Sequence, residues 1–187
     1  MKNVQIAAAG LLALSLATAA QLAASDKGKD NDRDRANRIS ATLVGINEVP
    51  SVSTAASGRL TATIAQDQQS IEYELSFTGL QGTVAQSHIH IARKNVNGGI
   101  VLWLCQGTSR APAAVAATTP ECPQEGTVSG ILTAASVTPV ATQQIGANEL
   151  NEVIALIRAG AAYANVHTAP SPGGEIRGQI KVGGDKD

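Results

Sequence analysis

Between residues 39 and 182, apolar and polar side chains alternate in short runs broken by clusters of Gly, Pro, Asn and Ser. Period-two alternation puts successive side chains on opposite faces of an extended chain, so each run predicts a strand. The runs are 39–49, 58–65, 71–77, 85–91, 100–105, 126–133, 162–168 and 175–182. In 71–77, Ile71, Tyr73, Leu75 and Phe77 alternate with Glu72, Glu74 and Ser76, which predicts one buried face and one wet face. Across 148–159 the period changes. Leu150, Val153, Ile154 and Ile157 recur at helical spacing and Gly160 follows, so a short amphipathic helix with a glycine stop is expected. Many short strands with regular turn signals predict an all-β fold, an antiparallel β-sandwich or Greek-key barrel with one short helix.

The ends follow other patterns. Residues 1–24 carry Lys2, then an apolar run over 7–20 interrupted only by Gly10, Ser15 and Thr18, then small residues suited to cleavage. This reads as a secretory signal peptide, because the run falls short of the roughly 20 apolar residues a bilayer span needs. Residues 25–38, SDKGKDNDRDRANR, hold no large apolar side chain and are expected to be a disordered, solvated leader. Residues 183–187 read as a flexible tail, leaving 39–182 as the folded domain. The expected product is exported, periplasmic or extracellular, with no transmembrane anchor.

Composition narrows the partners. The chain has 187 residues, 43% hydrophobic and 2% aromatic, with a formal net charge of -1, which is room for one domain. A balance so close to neutral, without clustered Lys and Arg, argues against nucleic acid or an anionic membrane as partner. Cys105 and Cys122 are the only cysteines, and an isolated pair in an exported protein reads as a disulfide. The segment between them, QGTSRAPAAVAATTPE, is expected to be a loop with little to bury. A metal-binding or redox thiol pair is the alternative, although the spacing is neither CxxC nor another familiar ligand pattern.

The three histidines lie in two strand-like motifs, SHIHIA (87–92) and AYANVHT (162–168). His88 and His90, two apart on a strand, project to one face while Ile89 and Ile91 turn to the core. In the second motif Tyr163, Asn165 and His167 share a face. The turn PSPGG makes 162–168 and 175–182 a hairpin, and pairing Asn165 with Arg177 and His167 with Glu175 keeps both polar sets on one side. The site is then expected on an outer, loop-covered face, with His88, His90 and His167 as metal ligands and Asn165, Glu175 and Arg177 as their supports. Met1 is the only methionine and the cysteines read as paired, so soft sulfur ligands are absent. Three neutral imidazoles suit copper(II), with zinc(II) as the alternative, and binding is expected to fail as pH drops through about 6. Solvated polar surface is the bland reading of the same HxH.

SHIHIARKNVNGGIVLWLC followed by AYANVHTAPSPGGEIRGQI resembles the CHRD domain, a module named after chordin and found in many exported bacterial proteins. The resemblance runs over about 39–182 and implies an exported β-sandwich module. Ala92 departs from it, standing where the family commonly has glycine. HxH, a later lone His, an Arg near the C-terminal strand and one disulfide also look like the copper-zinc superoxide dismutase arrangement. Those enzymes use more histidines than this chain has, so a dimetal site cannot be built. No GxSxG elbow is present, and Glu72 with Glu74 reads as a solvated face rather than an acid/base pair. The chain therefore reads as a binding or structural module rather than an enzyme, carrying a candidate mononuclear copper site. A metal-free interaction domain for an extracellular or periplasmic protein, and a dismutase-like enzyme, are the competing readings.

Overall fold

The computed structural model describes residues 34–183. The predicted signal peptide, most of the charged leader and most of the tail lie outside the described residues. The strands are β1 (Arg38–Val44), β2 (Ser57–Ile64), β3 (Ser70–Thr78), β4 (Val84–Ile91), β5 (Gly99–Gln106), β6 (Gly126–Thr133), β7 (Ala162–Thr168), β8 (Ile176–Gln179) and β9 (Lys181–Val182). They form one antiparallel sheet in the order β5-β4-β7-β8-β1-β2-β3-β6, with β9 also pairing β1. The sheet rolls until its two edges nearly meet. The Thr138 N–H donates to Val101 O at 2.9 Å, beside a bridge between Leu102 and Val137, and the buried Tyr73 hydroxyl donates to Leu104 O. The fold is therefore all-β, a nearly closed barrel-like sheet.

Alternation fills the inside of this sheet. Ile71, Tyr73, Leu75 and Phe77 are all buried, as their spacing predicts, together with Leu60 and Ile64 of β2, Ile89 and Ile91 of β4, and Ala164 and Val166 of β7. Between β6 and β7 lies the predicted helix, Leu150–Arg158, whose Leu150, Val153, Ile154 and Ile157 join the same core. Gly160 ends it at φ +70°, with Gly160 N bonded to Ile157 O and Ala161 N to Leu156 O, the paired bonds of a left-handed helix stop.

Three expectations need correction. The first run does not continue to Val49. After Val44 the chain turns through a 3-10 helix, Gly45–Asn47, because Gly45 O accepts from both Glu48 N and Val52 N and closes a local turn. The last run divides at Ile180, which stays buried in the core between β8 and β9. The segment between the cysteines, which form the expected Cys105–Cys122 disulfide, is not a loop with little to bury. It contains α1 (Ala113–Ala116), and Ala111 and Val115 pack against Trp103 as a small apolar cluster outside the main core. Gln106 clamps it there, accepting from Ala111 N and donating to Ala116 O and Thr119 O. The Leu150–Arg158 helix is thus α2, and α1 was not among the elements predicted.

Candidate metal centre

β4 lies between β5 and β7, and this adjacency assembles the site. Ile89 and Ile91 enter the core, so His88 and His90 leave by the opposite face. On β7, Asn165 pairs with His88, Tyr163 with His90, and His167 with Gln86. On the other side Trp103 of β5 pairs with His88, next to register shifts that flank both histidine positions. β7 pairs with β8 in the register expected from the hairpin, Asn165 opposite Arg177.

The face is covered. His88, His90 and His167 are 0%, 7% and 5% exposed, too little for solvated surface polarity. One ring nitrogen from each lies within 4.8 Å of the others. His90 Nδ1 meets Gly98 O at 2.9 Å and His167 Nδ1 meets Pro172 O at 3.0 Å. A carbonyl only accepts, so both Nδ1 atoms carry hydrogen and both Nε2 atoms hold lone pairs. His88 Nδ1 lies 2.9 Å from His90 Nε2 and donates to it. This leaves His88 Nε2 and His167 Nε2 buried with no hydrogen-bond partner, an expensive arrangement for polar atoms unless something else satisfies them.

Aromatic and charged groups wall the cluster. The Trp103 ring meets His88 edge-on at 4.9 Å, and Tyr163 stacks on His90 at 4.6 Å with nearly parallel planes. Arg177 lies over the far side of this stack, its guanidinium carbon 3.3 Å from the Tyr163 centroid. It also donates to Asn97 Oδ1 at 2.8 Å and Val96 O at 2.7 Å, and Asn97 Nδ2 in turn donates to Val49 O. The segments around 48–50 and 93–98 are thereby tied over the site. Glu48, Trp103 and Asn97 were not singled out by sequence reasoning. Asn97 stood within the quoted NGG, but Glu48 was hidden inside a run read as strand.

Glu175 does not support an imidazole. Its carboxylate accepts from Thr54 Oγ1 at 2.8 Å, Gln81 N at 3.0 Å and Thr168 Oγ1 at 2.6 Å. Strand β8 begins only at Ile176, so Glu175 lies outside the alternation that was used to place it and turns toward Thr168. Asn165 and Arg177 are both buried, Asn165 Nδ2 donating to Glu48 Oε1 at 3.5 Å. At Ala92 no left-handed backbone requires the family's glycine, and its carbonyl accepts from Gln179 Nε2 at 3.1 Å.

Burial sets the charge states. It holds His88 well below the ordinary imidazole value, with the charges of His167 and His90 adding to the effect, lowers His90 to about 4, and lowers His167. Burial also raises Glu48 to about 7, against the opposing pull of Arg177. The neutral imidazoles suit ligation, and the pH at which protons displace a ligand moves below the value of about 6 expected from sequence. In the metal-free protein, the unfolded chain takes up protons as pH falls through about 6.5, while the folded histidines resist. The unfolded state then binds more protons, so stability present above pH 6.5 is lost as pH falls toward 4. Glu48 has the opposite sign, its cost growing from about pH 4.5 to 7, but one carboxyl opposes three imidazoles. The urea midpoint should therefore fall between pH 6.5 and 4, and a midpoint that rises or stays level over that window would show histidines protonating freely in the folded state.

A family model described as CHRD domain matches residues 39–180. No curated protein and no solved structure matches the chain. Among the described residues no helix is long and apolar enough to cross a membrane.

Proposed function

Because the chain belongs to the CHRD domain family, an extracellular-type binding or structural module, we propose that it is an exported protein whose His88, His90 and His167 hold one metal ion, copper in preference to zinc. The observation that carries this reading is the pair of buried, partnerless Nε2 atoms on His88 and His167, set beside an imidazole whose orientation a backbone carbonyl fixes. A hydrogen-bonded carbonyl behind a ring nitrogen is the usual support of a metal-ligating imidazole, holding the ring and raising its basicity. Gly98 O and Pro172 O occupy that position here. For His90 Nε2 to join His88 Nε2 and His167 Nε2 on a cation, the His88 Nδ1 hydrogen would have to swing away from it. Because burial already keeps the three imidazoles neutral, binding near neutral pH should release no proton from them. Nitrogen ligands without thiolate favour copper(II) over zinc(II) at equal geometry.

The test is a copper(II) titration of metal-free protein, followed by calorimetry and electron paramagnetic resonance. One ion per chain is expected, with a spectrum split by imidazole nitrogens and with zinc competing more weakly. The variant H88A/H90A/H167A should lose this site. If it bound copper with the same stoichiometry and spectrum as the parent, the metal reading would fall and a metal-free interaction domain would replace it.

A further inference from the structure

Arg177, which walls the histidine cluster, also lines a half-enclosed cleft of about 370 Å³. It is lined by Lys94 from the 93–98 segment, Lys181 from β9 and Arg177 from β8, with the amides Asn47 and Asn95. No Asp or Glu lines it among the described residues. Lys94 and Lys181 are exposed and form no ion pair among the described residues, whereas Arg177 is buried, stacked on Tyr163 and bonded to Asn97 and Val96. Three cations of this kind in one concavity repel one another and concentrate a positive potential there. The charge of Glu48 acts on Arg177, but burial raises that carboxyl to about 7, so it opposes the potential only in part. It does not cancel the potential.

We propose that this cleft binds a small polycarboxylate, with two or more carboxylates bridging Lys94 and Lys181 over the field of Arg177. The volume admits a molecule the size of a tricarboxylic acid or a short uronate saccharide, and the amides supply donors for its remaining oxygens. One carboxylate would leave at least one lysine unmatched, so multiple charge is the selective feature. The ligand and the metal ion are separate occupants. The cleft shares no lining residue with the three histidines, and its occupancy does not depend on the metal reading.

The experiment uses full-length metal-free protein and follows amide and side-chain shifts by NMR, with calorimetry for affinity. Citrate represents the free small acid, digalacturonate the polymer-borne carboxylate, and acetate and inorganic sulfate the single-carboxylate and simple-anion controls. Citrate or digalacturonate should bind with shifts centred on Lys94, Lys181 and Arg177, and the tighter of the two identifies the source. K94Q/K181Q, which alters only exposed side chains and should fold as the parent does, should weaken binding at least about tenfold, the scale of a lost charge-assisted contact. R110Q/R158Q, which likewise removes two positive charges but outside the cleft, should leave the affinity unchanged. The proposal is overturned if neither polycarboxylate binds, if acetate or sulfate binds as tightly, or if K94Q/K181Q keeps the parent affinity.

Discussion

Ile180→Asp should abolish the folded state, while Arg177→Ala should leave a folded but weakened protein. Ile180 is 1% exposed within the main core, at the break between β8 and β9. Its replacement forfeits about 1.5–3 kcal/mol of apolar burial and sets an unpaired carboxyl among hydrocarbon, at a further cost of several kcal/mol. That total approaches the whole stability of an ordinary domain, about 5–15 kcal/mol. Arg177 is equally buried but lies outside this core. Its loss removes the Tyr163 stack and two hydrogen bonds to the 93–98 segment, together with the cation that favours ionised Glu48. Glu48 can answer by taking a proton, so a loss of about 2–4 kcal/mol is expected. Circular dichroism and urea titration distinguish the two, and equal disruption would contradict the facing assigned to these neighbouring positions.

Gly98→Ala should reduce copper affinity by about ten- to a hundredfold without unfolding the barrel, the range seen when a support behind a metal ligand is removed. A Cβ on Gly98 would lie 1.9 Å from Ile91 O, inside any allowed contact, and the neighbour is backbone at the end of β4 rather than a movable side-chain tip. The 93–98 segment has to shift, and with it the carbonyl that holds His90 Nδ1. The stated effect applies to the metal site proposed above. Metal-free stability should fall as well, because Asn97 is displaced from Arg177 and Val49 O. Unchanged affinity with lowered stability would show that Gly98 matters to the loop and not to the ligand.

Much of this arrangement was legible in the chain because it follows from the period of a strand. The facing of Ile89 against His88 and His90, the burial of the apolar set in β3, and the Asn165–Arg177 pairing all need only alternation and a short turn. The same rule failed where the backbone stops being extended. Glu48 follows the turn at Gly45, whose carbonyl is bonded to Val52 N, a contact that no local pattern announces. Glu175 fell just outside β8 and took partners from three other segments. A loop cover was expected, but not that it would bury the histidines almost completely. Polar residues on an alternating strand look wet until the loops that cover them are placed, and here that placement depends on Arg177, Asn97 and Val49 acting across long stretches of chain. Trp103 read as one more apolar residue, although it shares the histidine face and anchors α1.

The pairing of β4 with β7 also orders events in time. His88 and His90 are two residues apart, but His167 reaches them only after β5, β6 and α2 have been passed and β7 has zipped against β4. Contacts of such long sequence separation form late and slowly, because the intervening chain must first be confined. On the proposed metal reading, a nascent or unfolded chain offers an ion only the two-imidazole HxH, and the third ligand arrives with the completed sheet. An ion that prefers the full set draws the equilibrium toward the folded chain, by about 2.7 kcal/mol at a free concentration a hundred times its dissociation constant. Scarcity of the ion would then shorten the lifetime of the folded protein through the fraction of molecules whose last strands have come apart.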